Sequence, residues 1–224
     1  MTSLRFSFST TALNFTCCKV AIRWPGVYTV SSEEVTTRSR ILQATLSLIE
    51  RGNVAISMST IAKEAGLSRQ ALYLTFADKA DLFIAALRFA DGRRGIVQEQ
   101  ACIRAAKTGT DALVAIVDLQ ARLSPAYKRL ADAFELLRRQ DAAAEKAWQD
   151  RQQDRLEGCR IVAARISAEG DLRADLTVEA AADLIWSTTS STVWDDLVVK
   201  RGWNEMNYRT HLVELLLSWL KGSS

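Results

Sequence analysis

Apolar residues recur at every third or fourth position along most of the chain after residue 36. This spacing is typical of helices that bury one face. The first stretch predicts a helix over residues 37–51, with Ile41, Leu48 and Ile49 in its apolar stripe and Gly52 at its end. Later stretches predict a helix from Asp78 toward residue 93, broken or kinked near residues 92–95, and then helices over residues 111–123, 125–139, 141–168, 177–200 and 204–220. The pattern therefore predicts an all-α protein.

Residues 57–82 predict two short helices joined by a tight turn, followed at once by a third. Ser57 can cap a helix that opens at Met58, and Ser68 can cap the next one. Gly66 lies between them and can adopt the left-handed backbone that ends a helix. Two short helices joined in this way form a helix-turn-helix, whose second helix enters the major groove of DNA.

The first 35 residues differ from the rest of the chain. They are rich in serine and threonine, lack a helical period and contain a Trp-Pro-Gly turn at residues 24–26. We expect a mostly disordered arm. Two alternatives stay open: sequence translated from an upstream start codon, and a basic arm that touches the DNA backbone.

Charge is distributed unevenly along the 224 residues, although the net charge is only +3. Residues 38–94 hold nine basic and five acidic side chains, whereas residues 95–224 hold seventeen and nineteen. A basic front suits a surface that meets phosphate, and chance clustering is the alternative explanation.

Metal, cofactor and membrane sites are not expected from the sequence. The four cysteines include no C-x-x-C pair and there is one histidine, His211, so no metal site is predicted. Cys102 and Cys159 fall in helical patterns and are expected to be buried thiols in a reducing cytosol. No apolar run reaches transmembrane length, and the N-terminal region lacks a secretory signal pattern. We therefore expect a cytoplasmic, nucleoid-associated protein that does not contact a membrane.

The run I-A-x-x-A-G-L-S, then A-L-Y-x-x-F, then D-K-x-x-L, between Ile61 and Leu82, resembles the DNA-binding domain of TetR/AcrR-family transcriptional regulators. The resemblance is strong over residues 37–90 and looser to residue 222. It implies a three-helix DNA-binding domain over residues 36–83 and a helical effector-binding and dimerisation domain over residues 84–222. It also implies a ligand-responsive repressor that binds a palindromic operator in double-stranded DNA as a homodimer.

Candidate DNA-binding residues lie on and around the predicted recognition helix. Arg69 suits guanine O6 and N7, Gln70 suits adenine N6 and N7, and the methyl of Ala71 suits thymine. Lys79 opens the following helix, where free amides and the helix dipole favour phosphate. Tyr73 and Thr75 match family positions that contact phosphate or bases. The full candidate set is Ser57, Ser59, Thr60, Ser68, Arg69, Gln70, Ala71, Tyr73, Thr75 and Lys79.

The last two predicted helices are apolar on most sides and must be covered on most sides. We expect them to pair with their copies in a four-helix interface, through Val178, Ala182, Ile185, Val193, Leu212, Leu216 and Trp219. The alternative is that both are core helices of a monomer.

The family resemblance further implies a small-molecule effector whose binding tilts the helix that leads to the DNA-binding head. The candidate pocket residues are Tyr127, Phe134, Trp148, Cys159 and Trp186. Arg138, Arg151 or Arg155 beside such a pocket could select an anionic ligand, and each also suits a solvated helix face.

Two other classes of protein fit the sequence less well than a regulator. An all-helical enzyme has little support, because the chain carries no nucleophile motif and no glycine-rich phosphate loop. An interaction module that has lost DNA binding conflicts with the intact set of Arg69, Gln70, Tyr73 and Lys79. We therefore expect no catalytic residues.

Overall fold

A computed structural model describes residues 36–53 and 56–221 of the chain. The expected N-terminal arm, residues 1–35, lies outside the described residues. Within them the protein is all-α, which confirms the predicted fold class. The helices are α1 (Thr37–Glu50), α2 (Met58–Glu64), α3 (Arg69–Thr75), α4 (Lys79–Arg93), α5 (Ile96–Arg104), α6 (Gly109–Arg138), α7 (Ala142–Ala168), α8 (Val178–Thr188), α9 (Ser191–Trp194) and α10 (Glu205–Leu220).

The turn between α2 and α3 has the predicted chemistry. The side chains of Ser57 and Ser68 accept backbone N–H bonds from the third residue of the helices they cap. Gly66 has a φ of +64°. Its N–H and that of Leu67 bond to the carbonyls of Lys63 and Ala62, at 3.1 and 2.9 Å. These bonds end α2 and fix the direction in which α3 leaves it.

The first four helices share one hydrophobic cluster. Its fully buried members include Ile41 of α1, Ile61 of α2, Leu72 of α3 and Phe83 of α4. The same cluster continues into the second half of α6, where Tyr127, Leu130, Ala133 and Phe134 are buried. Helices α1–α4 are therefore packed on α6 through a continuous apolar core.

Helix α6 corrects the sequence-based prediction of two helices that meet at Pro125. It runs unbroken for 30 residues with Pro125 inside it. A proline in a helix interior removes one backbone hydrogen bond and costs roughly 3 kcal/mol. The cost is offset because α6 buries apolar residues on both sides of the proline. Ala112, Leu113, Val117 and Ala121 lie in a second cluster, whereas the residues from Tyr127 onward lie in the first.

The predicted helix over residues 177–200 is also corrected. It divides into α8, α9 and a π-helical turn, Asp195–Lys200. The division falls in a run of serine and threonine whose hydroxyls bond to nearby backbone groups. Thr188 and Thr189 donate to the carbonyls of Leu184 and Ile185 at 2.6 and 2.7 Å, and Ser190 caps α9. Such bonds compete with the regular helix pattern and favour a new start.

Helix α5 was not predicted, and it changes the expectation for Cys102. Gly95, with a left-handed φ of +64°, separates α5 from α4. Ile103 is the residue that α5 buries in the second cluster, whereas Cys102 lies on the exposed side of the helix. Cys159 is buried, as expected.

The membrane expectation can be compared with the helices of the structure. In the part of the chain that the structure describes, no helix combines the length and apolar character needed to cross a bilayer.

Gly109 marks a close approach that sequence reasoning missed. It opens α6 against the end of α7, and its N–H donates to both carboxylate oxygens of Glu169 at 2.9 Å. A Cβ at this position would lie 2.6 Å from Cγ1 and 2.8 Å from the backbone nitrogen of Ile166. Only glycine therefore fits this crossing without displacement of backbone.

Replacing Gly109 by alanine is expected to lower the free energy of unfolding by about 1–3 kcal/mol, because the added carbon overpacks the crossing. Urea denaturation followed by circular dichroism measures the change. Gly158→Ala is the matched control, since Gly158 lies inside α7 with nothing within 4 Å of its added Cβ. That variant should gain about 0.5–1 kcal/mol. Equal effects of the two substitutions would contradict the close approach.

Candidate nucleic-acid interface and cavity

One face of α3 carries three of the candidate DNA-binding side chains. Arg69, Gln70 and Tyr73 are exposed, while Leu72 on the other side is fully buried. The guanidinium carbon of Arg69 lies 5.5 Å from the ring centroid of Tyr73, and its Nη2 lies 3.4 Å from the Tyr73 hydroxyl. Arg69 and Tyr73 lie one helical turn apart, and their side chains therefore form one continuous exposed surface.

The smaller candidates are partly engaged within their own helices. The hydroxyl of Ser57 caps α2 and lies 2.8 Å from that of Thr60. Ser68 caps α3, and Thr75 donates to the carbonyl of Ala71 at 3.1 Å. Ser59 is exposed, whereas Ala71 and Thr75 are half-buried. These hydroxyls can still accept a further hydrogen bond from a ligand, because a hydroxyl oxygen carries two lone pairs.

Lys79 begins α4 beside α3, but the amides around it are less free than the sequence suggested. The N–H of Ala77 bonds to Asp81, and the N–H of Asp81 bonds to Asp78, at 3.1 and 2.8 Å. The ammonium of Lys79 lies 5.3 Å from the ring centroid of Phe83. Partial burial lowers its pKa below the usual 10.5. Lys79 is thus the cationic group at this end of α4, between two carboxylates.

Two further residues belong to this surface and were missed by sequence reasoning. Leu74 is 83% exposed on the recognition helix, and Arg38 of α1 donates from Nη1 to the carbonyl of Thr75 at 3.4 Å. The guanidinium carbon of Arg38 also lies 4.4 Å from the ring centroid of Phe76. Leu74 follows the buried Leu72 by two residues, which places it on the opposite side of a helix. That spacing was the available signal, whereas no local signal linked Arg38 to α3.

The five candidate pocket residues do not surround one cavity. Tyr127, Phe134 and Trp148 pack in the first hydrophobic cluster, where the rings of Phe134 and Trp148 stack at 6.0 Å. Cys159 and Trp186 pack in the second. Of the five, only Cys159 lines the cavity between α5, α6 and α7.

A cavity of about 290 Å³ lies between α5, α6 and α7. Its wall is partly apolar and carries several polar and charged groups. Its lining residues include Ile103, Ile116, Leu119, Asp154, Arg155 and Glu157. Burial raises the pKa of the Cys159 thiol in the same wall to about 11, so the thiol is neutral at physiological pH.

An ionic cluster joins α4 to the rest of the helices. The hydroxyl of Tyr127 donates to one carboxylate oxygen of Asp91, and Arg151 of α7 donates to the other. The guanidinium of Arg151 also lies over the ring of Tyr127, 4.6 Å from its centroid. Burial, together with the bond to Asp91, raises the pKa of Tyr127 to about 12. We call Asp91, Tyr127 and Arg151 the α4 latch.

The expected subunit interface needs correction. Ala182, Ile185, Leu212 and Leu216 are between 0 and 4% exposed because they lie in the second cluster of their own chain. They are therefore not surface residues of α8 and α10. Val178 and Val193 are half-buried, and Trp219 is exposed together with Leu215, Val199 and Met206.

Part of the chain matches a known protein family. Residues 41–86 match the family described as bacterial regulatory proteins, tetR family. The resemblance noted between Ile61 and Leu82 is therefore confirmed. No curated protein sequence matches the chain.

Three solved structures share the fold at low sequence identity. The transcriptional regulator FadR from Bacillus subtilis, in complex with stearoyl-CoA, is 21% identical with a TM-score of 0.66, over 81% of this chain and 98% of that one. The fatty acid degradation regulator FadR from Bacillus halodurans is 21% identical with a TM-score of 0.68, over 86% and 100%. NalD, the secondary repressor of the MexAB-OprM multidrug efflux pump in Pseudomonas aeruginosa, is 22% identical with a TM-score of 0.63, over 84% and 98%.

Replacing Asp91 by asparagine is expected to destabilise the protein by about 1–3 kcal/mol, because Arg151 then keeps a half-buried charge without its carboxylate. Thermal and urea unfolding measure the loss. The control is Asp150→Asn, also in an ion pair with a residue of α7, but with side chains 74% and 63% exposed. That pair should contribute at most about 0.5 kcal/mol. A loss for the control as large as that for the latch variant would contradict a role for burial.

Proposed function

We propose that this protein is a transcriptional regulator that represses its target by binding a palindromic DNA operator as a homodimer and leaves it when a small molecule binds. The observation that carries the proposal is the exposed face of α3. The family match at residues 41–86 supports it, because the matched segment contains the complete helix-turn-helix. A match to a regulatory family also favours this function over a helical enzyme or an interaction module.

The α3 face suits the reading of bases. Leu72 and Phe76 are buried in the core and fix the orientation of α3, so the outer side chains of α3 have a fixed direction. Arg69 would bind guanine and Gln70 adenine in the major groove, while the exposed Leu74 would contact a thymine methyl. Because Arg69 already packs on Tyr73, less side-chain freedom is lost when DNA binds.

Phosphate contacts would hold α3 in register. Lys79 stands at the start of α4, and the hydroxyls of Ser57 and Thr60 stand at the start of α2. These groups carry little sequence information, but they set the affinity and its dependence on salt. Ser59, Ser68, Ala71, Tyr73 and Thr75 complete the proposed interface.

A homodimer would use the exposed flank of α10. Leu215 and Trp219 are large apolar side chains, each 38% exposed, one helical turn apart. Val178 and Val193 are the half-buried members of the expected interface that can contribute. Two heads related by a two-fold axis and one DNA turn apart, about 34–36 Å, would read a palindrome.

The α4 latch offers a route from the helical domain, residues 84–222, to the DNA-binding head, residues 36–83. Lys79 lies at one end of α4 and Asp91 near the other, where Tyr127 and Arg151 hold it to α6 and α7. A small molecule that moves α7 would move α4, and with it the head. The Bacillus subtilis FadR structure with stearoyl-CoA supports a ligand site in this fold. Such a regulator would act in the cytoplasm, on the nucleoid.

The proposal is tested by selecting bound sequences from a pool of random duplex DNA. The expected result is a palindrome whose half-sites are separated by one helical turn. Recovery of unrelated sequences, or of none, would contradict the proposed function.

Arg69→Ala and Lys79→Ala should weaken binding to the selected site in different ways. The arginine variant is expected to lose about 1–3 kcal/mol and to relax preference at one base pair, because it removes a base contact. The lysine variant should weaken binding to all sequences and reduce the salt slope by about one. Gel shifts at several salt concentrations, on the selected site and on single-base variants of it, separate the two effects. Identical losses that ignore sequence would contradict the assignment of roles.

Trp219→Glu should convert the dimer into a monomer and weaken operator binding, because a charge then replaces an apolar contact. Sedimentation velocity at micromolar protein measures the state of assembly. Met206→Glu is the control, since Met206 is 64% exposed on the other side of α10 and should not affect assembly. A Trp219→Glu variant that stays dimeric would place the interface elsewhere.

A further inference from the structure

The charge of Arg155 is not balanced by a carboxylate. Its guanidinium donates to the side-chain oxygen of Gln152 at 2.9 Å, to the carbonyl of Trp186 at 2.8 Å and to the hydroxyl of Thr189 at 3.4 Å. All three acceptors are neutral. Within residues 36–53 and 56–221, no acidic side chain forms an ion pair with Arg155.

The two other arginines considered as ligand anchors differ in this respect. Arg138 is paired with Glu135 and Glu145, and Arg151 with Asp91. Burial lowers the pKa of Arg155, and the positive charge of Arg151 one turn away acts in the same direction. Buried cations are normally paired, so the wall of the cavity at Arg155 favours a negative group.

The ring of Trp186 lies beside the same cation. The guanidinium carbon of Arg155 lies 5.4 Å from the ring centroid of Trp186, and the carbonyl of Trp186 accepts a hydrogen bond from the guanidinium. An aromatic ring and a backbone oxygen of α8 therefore hold Arg155 in place, and neither carries a negative charge.

The rest of the cavity limits the size and charge of a ligand. Its volume of about 290 Å³ is at the lower end for small-molecule sites, and Ile103, Ile116 and Leu119 supply an apolar wall. The carboxylates of Asp154 and Glu157 also line it. Glu157 is paired with Arg160, whereas Asp154 is exposed and would repel a second negative charge. The lining therefore suits a monoanion with an apolar body rather than a polyanion.

We propose that this cavity binds a small organic acid, whose single carboxylate is held by Arg155 and whose apolar body lies against Ile103, Ile116 and Leu119. This inference rests on the proposed function, since it names the chemical class of the effector. It also gives the effector a link to the head, because Arg155 lies one turn from Arg151 of the α4 latch.

Direct binding of octanoate to the full chain, measured by titration calorimetry without DNA, tests the inference. Octan-1-ol is the matched neutral probe. Octanoate should bind at least about tenfold more tightly, because only the carboxylate meets the charge of Arg155. Absence of octanoate binding at millimolar concentration, or equal affinity for the alcohol, overturns the proposal.

Variants assign the site. Arg155→Gln should abolish the preference for octanoate. Lys146→Gln on the same helix should keep it, because the Lys146 side chain is 74% exposed and does not line the cavity. Arg155→Lys guards against a misfolded glutamine variant, because it keeps a positive charge in the cavity wall. It should retain a preference for octanoate over octan-1-ol that Arg155→Gln lacks, and the melting temperatures of both ligand-free variants report whether they fold. An unchanged preference in Arg155→Gln, or a complete loss of preference in a folded Arg155→Lys, overturns the assignment.

The titration is independent of DNA, so the two proposals can fail separately. A protein that binds octanoate through Arg155 but selects no DNA sequence would contradict the proposed function alone. A protein that selects a palindrome but does not distinguish octanoate from octan-1-ol would contradict the organic-acid site alone.

Discussion

The shared burial of α6 is the constraint on which the other elements depend. One helix of 30 residues contributes to both hydrophobic clusters, the first with the head and the second with α7, α8 and α10. Because the helix is continuous, the cluster under the DNA-binding head and the cluster beside the cavity have a fixed spacing. The burial of residues on both sides of Pro125 offsets the hydrogen bond that the proline removes. Displacement of either end of α6 would disturb both clusters.

The basic side chains of the DNA-binding head and those of the helical domain differ in whether a carboxylate pairs with them. On the head, Arg69 and Lys79 lie against aromatic rings and have no carboxylate bound to them among the described side chains, so their charge is available to a polyanion. In the helical region the half-buried arginines are mostly neutralised: Arg151 by Asp91, and Arg138 by two glutamates. Arg155 is the contrast, with neutral acceptors only. An arginine that is paired with a carboxylate thus holds helices together, whereas an arginine without such a partner is available to bind a ligand.

Much of the head could be predicted from the sequence because its determinants are local. A cap such as Ser57 or Ser68 acts on an amide three residues away, and Gly66 acts on its own backbone. The alternation of buried and exposed residues around Leu72 likewise follows from helix geometry. The cavity and the surface proposed for the dimer interface could not be predicted from such local rules. The apolar side of α10 contains both Leu216, which is buried in its own chain, and Trp219, which is exposed, and no local rule distinguishes them.

The sequence by itself determined the helical class, the capped helix-turn-helix with its family resemblance, and the outward face of α3, since each depends on residues close to one another in the chain. The tertiary structure decided the continuity of α6 through Pro125, the division after α8, the exposure of Cys102 and the close fit at Gly109. It also decided which arginine meets a carboxylate, since Arg151 and Asp91 are 60 residues apart in the chain. Those outcomes depend on which helices pack together, and a pairing between distant segments is fixed only when their buried faces meet.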